Sequence, residues 1–470
     1  MLAVWGVKAQ HDQKYYPESD PLVLEKLEQW QDMKFGLLMH WGAYSQWGIV
    51  ESWSICGEDE DWCRRSIPDY HTYLQKYESL PATFNPKDFN PEKWAKAAGN
   101  AGMKYMVFTT KHHDGFCMFD TKQTTYKITD PSCRFSSNPR ANVTKEIFNA
   151  FRSQGLWTGA YFSKPDWHCP DYWWRNFPTP DRNVNYDIKR YPERWENYVQ
   201  FTHKQIDELM TDYGKVDILW LDGGWVKKRR EEEVRQAILN PDFKFTREQS
   251  QDIRMDEIVV NSRKKQPGLI VVDRAVEGKN QNYLTPENQV PKAALPFPWE
   301  SCIIAGGGWA WVPDPHFKTV RETIHLLVDI VSKGGNLLLN IAPGPEGDWH
   351  PDAYKLLEGV GKWMKLNSEA IYGTRAIAPY RQGQLCFTMK KAEKKIYAIY
   401  LNNDNEKSLP EALLLPQFEV GRGAKMSLLA FGQQLKWKKT KEGIIVQIPE
   451  EWRMRLKKED AWVVEINLEI

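Results

Sequence analysis

The chain has 470 residues, 41% of them hydrophobic, and a formal net charge of +1, with 63 Lys and Arg against 62 Asp and Glu. So even a balance leaves no basic face for nucleic acid or an anionic membrane surface, and no apolar run reaches the roughly eighteen residues of a membrane span. The length suits two or three domains with a large core.

Met1 to Gln10 reads like the tail of a secretory signal, an apolar stretch ending in Val7-Lys-Ala9 with small residues at a cleavage position. Its charged leading region is missing, so a truncated signal and an ordinary disordered start read alike. The expectation is an exported, periplasmic or secreted protein whose residues 1–15 stand outside the fold.

From there helix and strand alternate. Leu24, Leu27 and Trp30 are spaced for a helix, and Phe35 to Met39 reads as a buried strand ending in His40-Trp41-Gly42. Asn90-Pro91 caps and opens a helix, and Tyr105 to Thr110 is a strand running out into Lys111-His112-His113-Asp114-Gly115. Thr144 to Gln154 is an amphipathic helix with Gly155 just past its end; Leu156 to Phe162 is the next strand. Pro192 to Tyr213 is a long helix that delivers the chain to Val216 to Leu221, an apolar run closed by Asp222-Gly-Gly.

Leu269 to Val272 is a strand ending in Asp273-Arg274, and Phe297 to Ile304 holds another. His316 to Ser332 is a helix, Leu337 to Ile341 a strand, and Pro351 opens a last helix through Lys365. Six or more such repeats predict an α/β fold, a (β/α)8-like barrel, irregular or short of one strand, over residues 16–370. Beyond Thr374, the segments at Ile396, Met426, Ile444 and Trp462 are strand-like with no helical pattern between them, predicting a C-terminal antiparallel β-sandwich over 371–470.

In such a barrel a carboxylate at the C-terminal end of a strand stands in the mouth where catalytic groups gather. Asp222 is therefore the first catalytic candidate, although an Asp that opens a Gly turn by bonding its own backbone reads the same way. The 22 Trp, 20 Tyr and 19 Phe lean towards a carbohydrate ligand, since flat rings stack on the C–H faces of sugars. His112-His113 lacks the H-x-H and H-E-x-x-H spacings of metal sites, so His40, His112 and His113 read as hydroxyl partners and no metal is expected. Glu287 and Glu300 could each face the mouth, and spacing does not choose between them. The seven cysteines, Cys56, Cys63, Cys117, Cys133, Cys169, Cys302 and Cys386, form no CxxC pair and no disulfide framework; Cys56 and Cys63 could bridge one loop or remain thiols.

Phe35-Gly-Leu-Leu-Met with His40-Trp-Gly, Thr110-Lys-His-His-Asp-Gly-Phe116, Trp220-Leu-Asp222-Gly-Gly, Pro298-Trp-Glu-Ser-Cys and Trp309-Ala-Trp311 together resemble the α-L-fucosidases of glycoside hydrolase family 29. The resemblance spans roughly Gln31 to Pro343 and implies a retaining exo-hydrolase of terminal α-L-fucose on fucosylated glycans, working without a cofactor. It makes Asp222 the nucleophile and Glu287 the better match for the acid/base, with Glu300 the runner-up. It assigns sugar contacts to Trp220, His40, His112, His113, Arg274, Trp311 and Tyr161, the last subject to a one-residue slip with Phe162. A sugar-contacting Glu-Trp pair falls on Glu51 and Trp53, with Asp61-Trp62 as the other candidate. A sugar-binding protein without catalysis would keep the rings and lose a carboxylate, and an enzyme for another sugar such as galactose would depart from the His-His-Asp-Gly block. The resemblance leaves linkage preference and oligomeric state open.

Overall fold

A computed structural model describes residues 13–56, 65–179, 181–239, 249–390, 392–403 and 408–468. The signal-like segment Met1 to Gln10, Asp61-Trp62 and Cys63 lie outside the described residues.

The barrel half begins with α1 (Pro21–Met33) and β1 (Phe35–Met39), followed by α2 (Tyr70–Glu78), α3 (Pro91–Asn100), β2 (Tyr105–Lys111), α4 (Val143–Ser153) and β3 (Trp157–Ser163). It continues through α5 (Pro192–Asp212), β4 (Ile218–Asp222), α6 (Glu231–Leu239), α7 (Met255–Lys265), β5 (Ile270–Asp273), β6 (Glu300–Ile304), α8 (Val320–Ser332), β7 (Asn336–Asn340) and α9 (Pro351–Asn367). Local chemistry sets many boundaries. Asn90 and Asn142 cap α3 and α4 through their side chains, with Pro91 at the first position of α3. Thr319 and Glu322 form a capping box, so α8 starts at Val320 and not at His316 as the periodicity suggests.

The seven strands form one parallel sheet in the order β5-β4-β3-β2-β1-β7-β6. Among the described residues the barrel is thus short of one strand, and the sheet curls without closing between β5 and β6. Residues 281–288 run through that gap: Gln281 bridges Val272 of β5, while Leu284 and Glu287 bridge Trp299 and Cys302 along β6. The strand expected from Phe297 begins only at Glu300 because Pro298 is already engaged by Leu284, whose N–H donates to its carbonyl at 3.1 Å.

Strand alternation divides the core in two. Leu38, Val107, Tyr161, Trp220, Val272 and Leu338 pack together inside the curl. Their neighbours Leu37, Phe108, Phe162, Leu221, Val271 and Leu339 face the helices. The slip between Tyr161 and Phe162 is thereby decided: Tyr161 points inward and Phe162 outward.

The C-terminal part carries β8 (Arg375–Gln382), β9 (Leu385–Lys390), β10 (Lys395–Leu401), β11 (Ala412–Leu415), β12 (Lys425–Leu428), β13 (Gln433–Gln434), β14 (Trp437–Lys439), β15 (Ile444–Gln447), α10 (Glu450–Leu456) and β16 (Ala461–Asn467). Its strands form antiparallel sheets in the orders β13-β12-β16-β10-β9-β8 and β11-β15-β14 around a shared apolar cluster. The helix α10 corrects the expectation that no helix interrupts these strands. With seven residues and only Leu456 buried, it is too short to display a helical period.

Candidate active site

The C-terminal ends of the strands surround a cavity of about 450 Å³. It is lined by His40 after β1, His112 and His113 after β2, Tyr161 from β3, Trp220 and Asp222 from β4, and Arg274 after β5. Glu287 enters from the segment in the sheet gap, Trp309 from the loop after β6, and Glu51 and Trp53 from the turn after β1. Two assigned residues lie elsewhere. Trp311 is not among the lining residues; it packs beside Gly48 and Gly344, and Trp309 takes the place at the cavity. Glu300 starts β6 opposite Asn336, the first residue of β7, so it sits at the N-terminal floor of the sheet and away from the mouth. Arg182, Asn183, Trp225 and Arg229 also line the cavity and were missed. They come from long irregular loops, where no periodicity points a side chain anywhere.

Asp222 is the most constrained group here. Its Oδ1 accepts from the Gly223 N–H at 2.8 Å and from Arg274 Nη1 at 3.0 Å, and its Oδ2 accepts from Tyr161 Oη–H at 2.7 Å. Burial pushes its pKa up, but Arg274, His113, the Tyr161 hydroxyl and the Gly223 amide outweigh burial and hold it well below the usual carboxylate range. Since His113 is itself pushed down to about 4, at neutral pH the holding falls to Arg274, Tyr161 and Gly223. The result is a permanently ionised carboxylate, oriented by three donors.

The histidines are neutral hydrogen-bonding groups. Burial lowers His40 to about 4 and His112 well below the ordinary imidazole value. Asn340 Oδ1 accepts from His40 Nδ1 at 2.9 Å, which makes Nδ1 the protonated nitrogen and leaves Nε2 as an acceptor. His112 Nδ1 pairs with the Ser52 hydroxyl. Nε2 of His113 lies 3.8 Å from Asp222 Oδ2, while its buried Nδ1 has no hydrogen-bond partner among the described residues.

The other carboxyls divide by environment. Glu287 is 41% exposed at its side chain; its Oε2 is paired with Arg274 Nη2, and its Oε1 accepts from Trp309 Nε1 at 3.1 Å. Glu51 is buried, accepts the Ala310 N–H at 2.7 Å, and is pushed up to about 8, chiefly by burial and also by the charges of Glu287 and Asp222. Glu300 is fully buried, accepts from Tyr105 Oη–H at 2.5 Å, and is raised by burial to about 7.

His112, His113 and Asp222 present ligand-type atoms within 4.8 Å of one another. A zinc site needs such donors uncommitted, with one position open. Here both Asp222 oxygens already accept hydrogen bonds, and a guanidinium 3.0 Å from Asp222 repels a second cation. The donor set therefore suits hydroxyl groups better than a metal.

A family model described as Alpha-L-fucosidase matches residues 2–369, and one described as Alpha-L-fucosidase C-terminal domain matches residues 379–467. Plasma alpha-L-fucosidase of Pongo abelii is 27% identical over 474 residues, covering 93% of this chain and 89% of that protein. Tissue alpha-L-fucosidase of Homo sapiens is 27% identical over 481 residues, covering 98% and 93%. Among solved structures, alpha-L-fucosidase isoenzyme 1 from Paenibacillus thiaminolyticus superposes with a TM-score of 0.74 at 28% identity, covering 96% of this chain and all of that one. A Thermotoga maritima alpha-fucosidase in complex with fucose shares the fold at a TM-score of 0.71 and 24% identity, over 96% of this chain and all of that one. With matches running through both its barrel and its sandwich, the chain belongs to the alpha-L-fucosidase family of glycoside hydrolases, family 29.

Proposed function

We propose that this glycoside hydrolase removes terminal α-L-fucose from fucosylated glycans with retention, using Asp222 as nucleophile and Glu287 as acid/base. The observation that carries the proposal is the Arg274 guanidinium, whose two terminal nitrogens engage the two carboxylates at the cavity. Two carboxylates bound to one guanidinium lie close together, which favours the roughly 5–5.5 Å separation of retaining pairs over the roughly 6.5–9.5 Å that an inverting water requires.

Asp222, ionised and aimed by Tyr161 and Gly223, attacks the anomeric carbon as the glycosidic C–O bond breaks. Glu287 gives its proton to the departing oxygen, exchanging Arg274 for that oxygen as the sugar enters. Its partial exposure lets it trade protons with solvent. Water, deprotonated by Glu287, then attacks the glycosyl ester and releases fucose with the starting configuration. His40 Nε2 offers an acceptor to a sugar hydroxyl. Trp220, stacked on Tyr161 at 5.2 Å, offers an apolar face for the C5 methyl. The signal-like Met1 to Gln10 supports action on extracellular glycans, which N-terminal sequencing of the mature protein would check.

One observation favours a second reading of the acid. Glu51 lines the same cavity and is protonated at neutral pH, a ready donor. Its burial and its bond to the Ala310 N–H suit a fixed sugar contact better than a group that must cycle its proton.

The test is hydrolysis of a 4-nitrophenyl α-L-fucoside followed by NMR, with α-L-fucose expected as the first-formed anomer. Initial release of the β anomer, or no turnover by folded protein, overturns the proposal.

A further inference from the structure

We infer that Trp309 is a positioning residue for the proton-donating carboxyl: its indole N–H holds Glu287 Oε1 while Oε2 leaves Arg274 for the glycosidic oxygen. The inference rests on the reading of Glu287 as acid/base.

Each oxygen of Glu287 has one side-chain donor, and the two come from different parts of the fold. Arg274 follows β5 and takes Oε2; Trp309 follows β6 and donates to Oε1 at 3.1 Å. The Arg274 contact must break before Oε2 can carry a proton to a leaving group, because a guanidinium only donates. Once it breaks, the indole N–H is the remaining side-chain partner of this carboxyl among the described residues. Without it the carboxyl would turn about its terminal torsion, which is broad and holds no single orientation by itself.

The indole is itself fixed. Asn340 at the end of β7 donates its Nδ2–H to the Trp309 carbonyl at 2.8 Å and to the Gly308 carbonyl at 3.3 Å, and its Oδ1 accepts from His40. On the other side, the Ala310 N–H is held by Glu51. The ring lies 5.3 Å from the His40 imidazole, centroid to centroid. Gly306 and Gly307 let the preceding loop fold tightly, since a Cβ at Gly306 would stand 2.6 Å from the Phe317 ring and Gly307 has φ +73°. This short stretch therefore links His40, the buried Glu51 and the acid/base through the Trp309 indole and the backbone of residues 308–310.

Trp309→Phe keeps the ring and removes only the donor. Loss of orientation in a proton donor hurts most where the leaving group needs the proton. kcat/KM on alkyl α-L-fucosides should fall at least tenfold further than on the 2,4-dinitrophenyl fucoside. The titratable and charged groups facing Glu287, namely Arg274, Asp222, Glu51, His40 and Cys302, are unchanged in this variant. Trp309→His, which retains a ring N–H, should recover part of the loss on alkyl fucosides.

Glu287→Ala is measured alongside. If it shows the leaving-group dependence and Trp309→Phe loses activity uniformly or not at all, the inference is overturned and the acid/base reading stands. If Glu287→Ala lacks that dependence, the acid/base reading itself fails, and the role of Trp309 fails with it.

Discussion

At the scale of single residues, the carboxyls make separable predictions. Asp222→Gly should fold, lose hydrolysis by at least a thousandfold, and regain turnover with azide, which fills the space of a nucleophile held by three donors. Full activity in that variant would remove Asp222 from the mechanism. Glu287→Ala and Glu51→Gln separate the two readings of the acid. The true donor's variant should lose far more on alkyl than on activated aryl fucosides, and the other should lose evenly. Glu300, on the floor beneath Trp220, tests electrostatics without chemistry. Burial raises it from 4.5 to about 7, so the folded chain holds its proton more tightly than the unfolded chain does. Its stabilising effect is fully present below the unfolded value and is lost as pH rises through about 7, a change on the order of 3 kcal/mol. Glu300→Gln abolishes that dependence. Its melting temperature relative to the parent should therefore climb between pH 5 and pH 8, and a constant difference would contradict the raised value.

At the scale of elements, the end of β4 depends on backbone that side chains cannot replace. Gly223 has φ +91°, and a Cβ there would lie 2.3 Å from Pro165 Cδ. The residue before that proline, Lys164, donates its N–H to the Asp222 carbonyl at 2.9 Å, and its Nζ pairs with Asp273 at 2.5 Å. The tips of β3, β4 and β5 are thus tied together directly behind Asp222. Gly223→Ala should cost about 1–3 kcal/mol in strain and lower kcat at least tenfold by displacing Asp222, as read by thermal melting and initial rates. Unchanged melting and rate would show that the turn has more slack than this packing implies.

For the whole molecule, the question is whether barrel and sandwich fold as one. Cys386, Tyr397, Ile399, Leu401, Ala461 and Val463 from the C-terminal sheets belong to the same buried cluster as the barrel's outer core. Trp363 of α9 donates its indole N–H to the Ala461 carbonyl at 2.8 Å, and Arg321 of α8 pairs with Asp460 at 3.1 Å. A shared core of this kind predicts one calorimetric transition for the intact chain. Trp363→Ala should lower stability by about 3–5 kcal/mol and release the sandwich as a separate transition. Two transitions in the unaltered chain would show that the interface is weaker than its burial suggests.

The sequence by itself determined the parts that rest on periodicity and local chemistry. Buried strands announce themselves as short apolar runs, so the parallel sheet, and Asp222 at the tip of Val216 to Leu221, are legible in the order of residues alone. Three of the blocks that carry the family resemblance lie at the ends of β1, β2 and β4, so His40, His112, His113 and Trp220 were legible there; they line the cavity, as do Tyr161 and Arg274. Tertiary structure decided whatever depends on which way an irregular segment travels. Glu287 and Glu300 both flank the region of β6, yet one rides a segment climbing through the sheet gap to the mouth and the other begins a strand at the floor. Trp309 and Trp311 differ by two residues in a loop without strand pleat, so alternation could not tell which ring faces the cavity. Arg182, Trp225 and Arg229 reach the cavity from loops, and the neutral state of Glu51 arises only once its surroundings exclude water. Repeating backbone dihedrals project side chains by rule, and a sequence can be read wherever that rule holds. Where the chain leaves regular structure, direction and burial come from long-range packing, and only the folded molecule contains them.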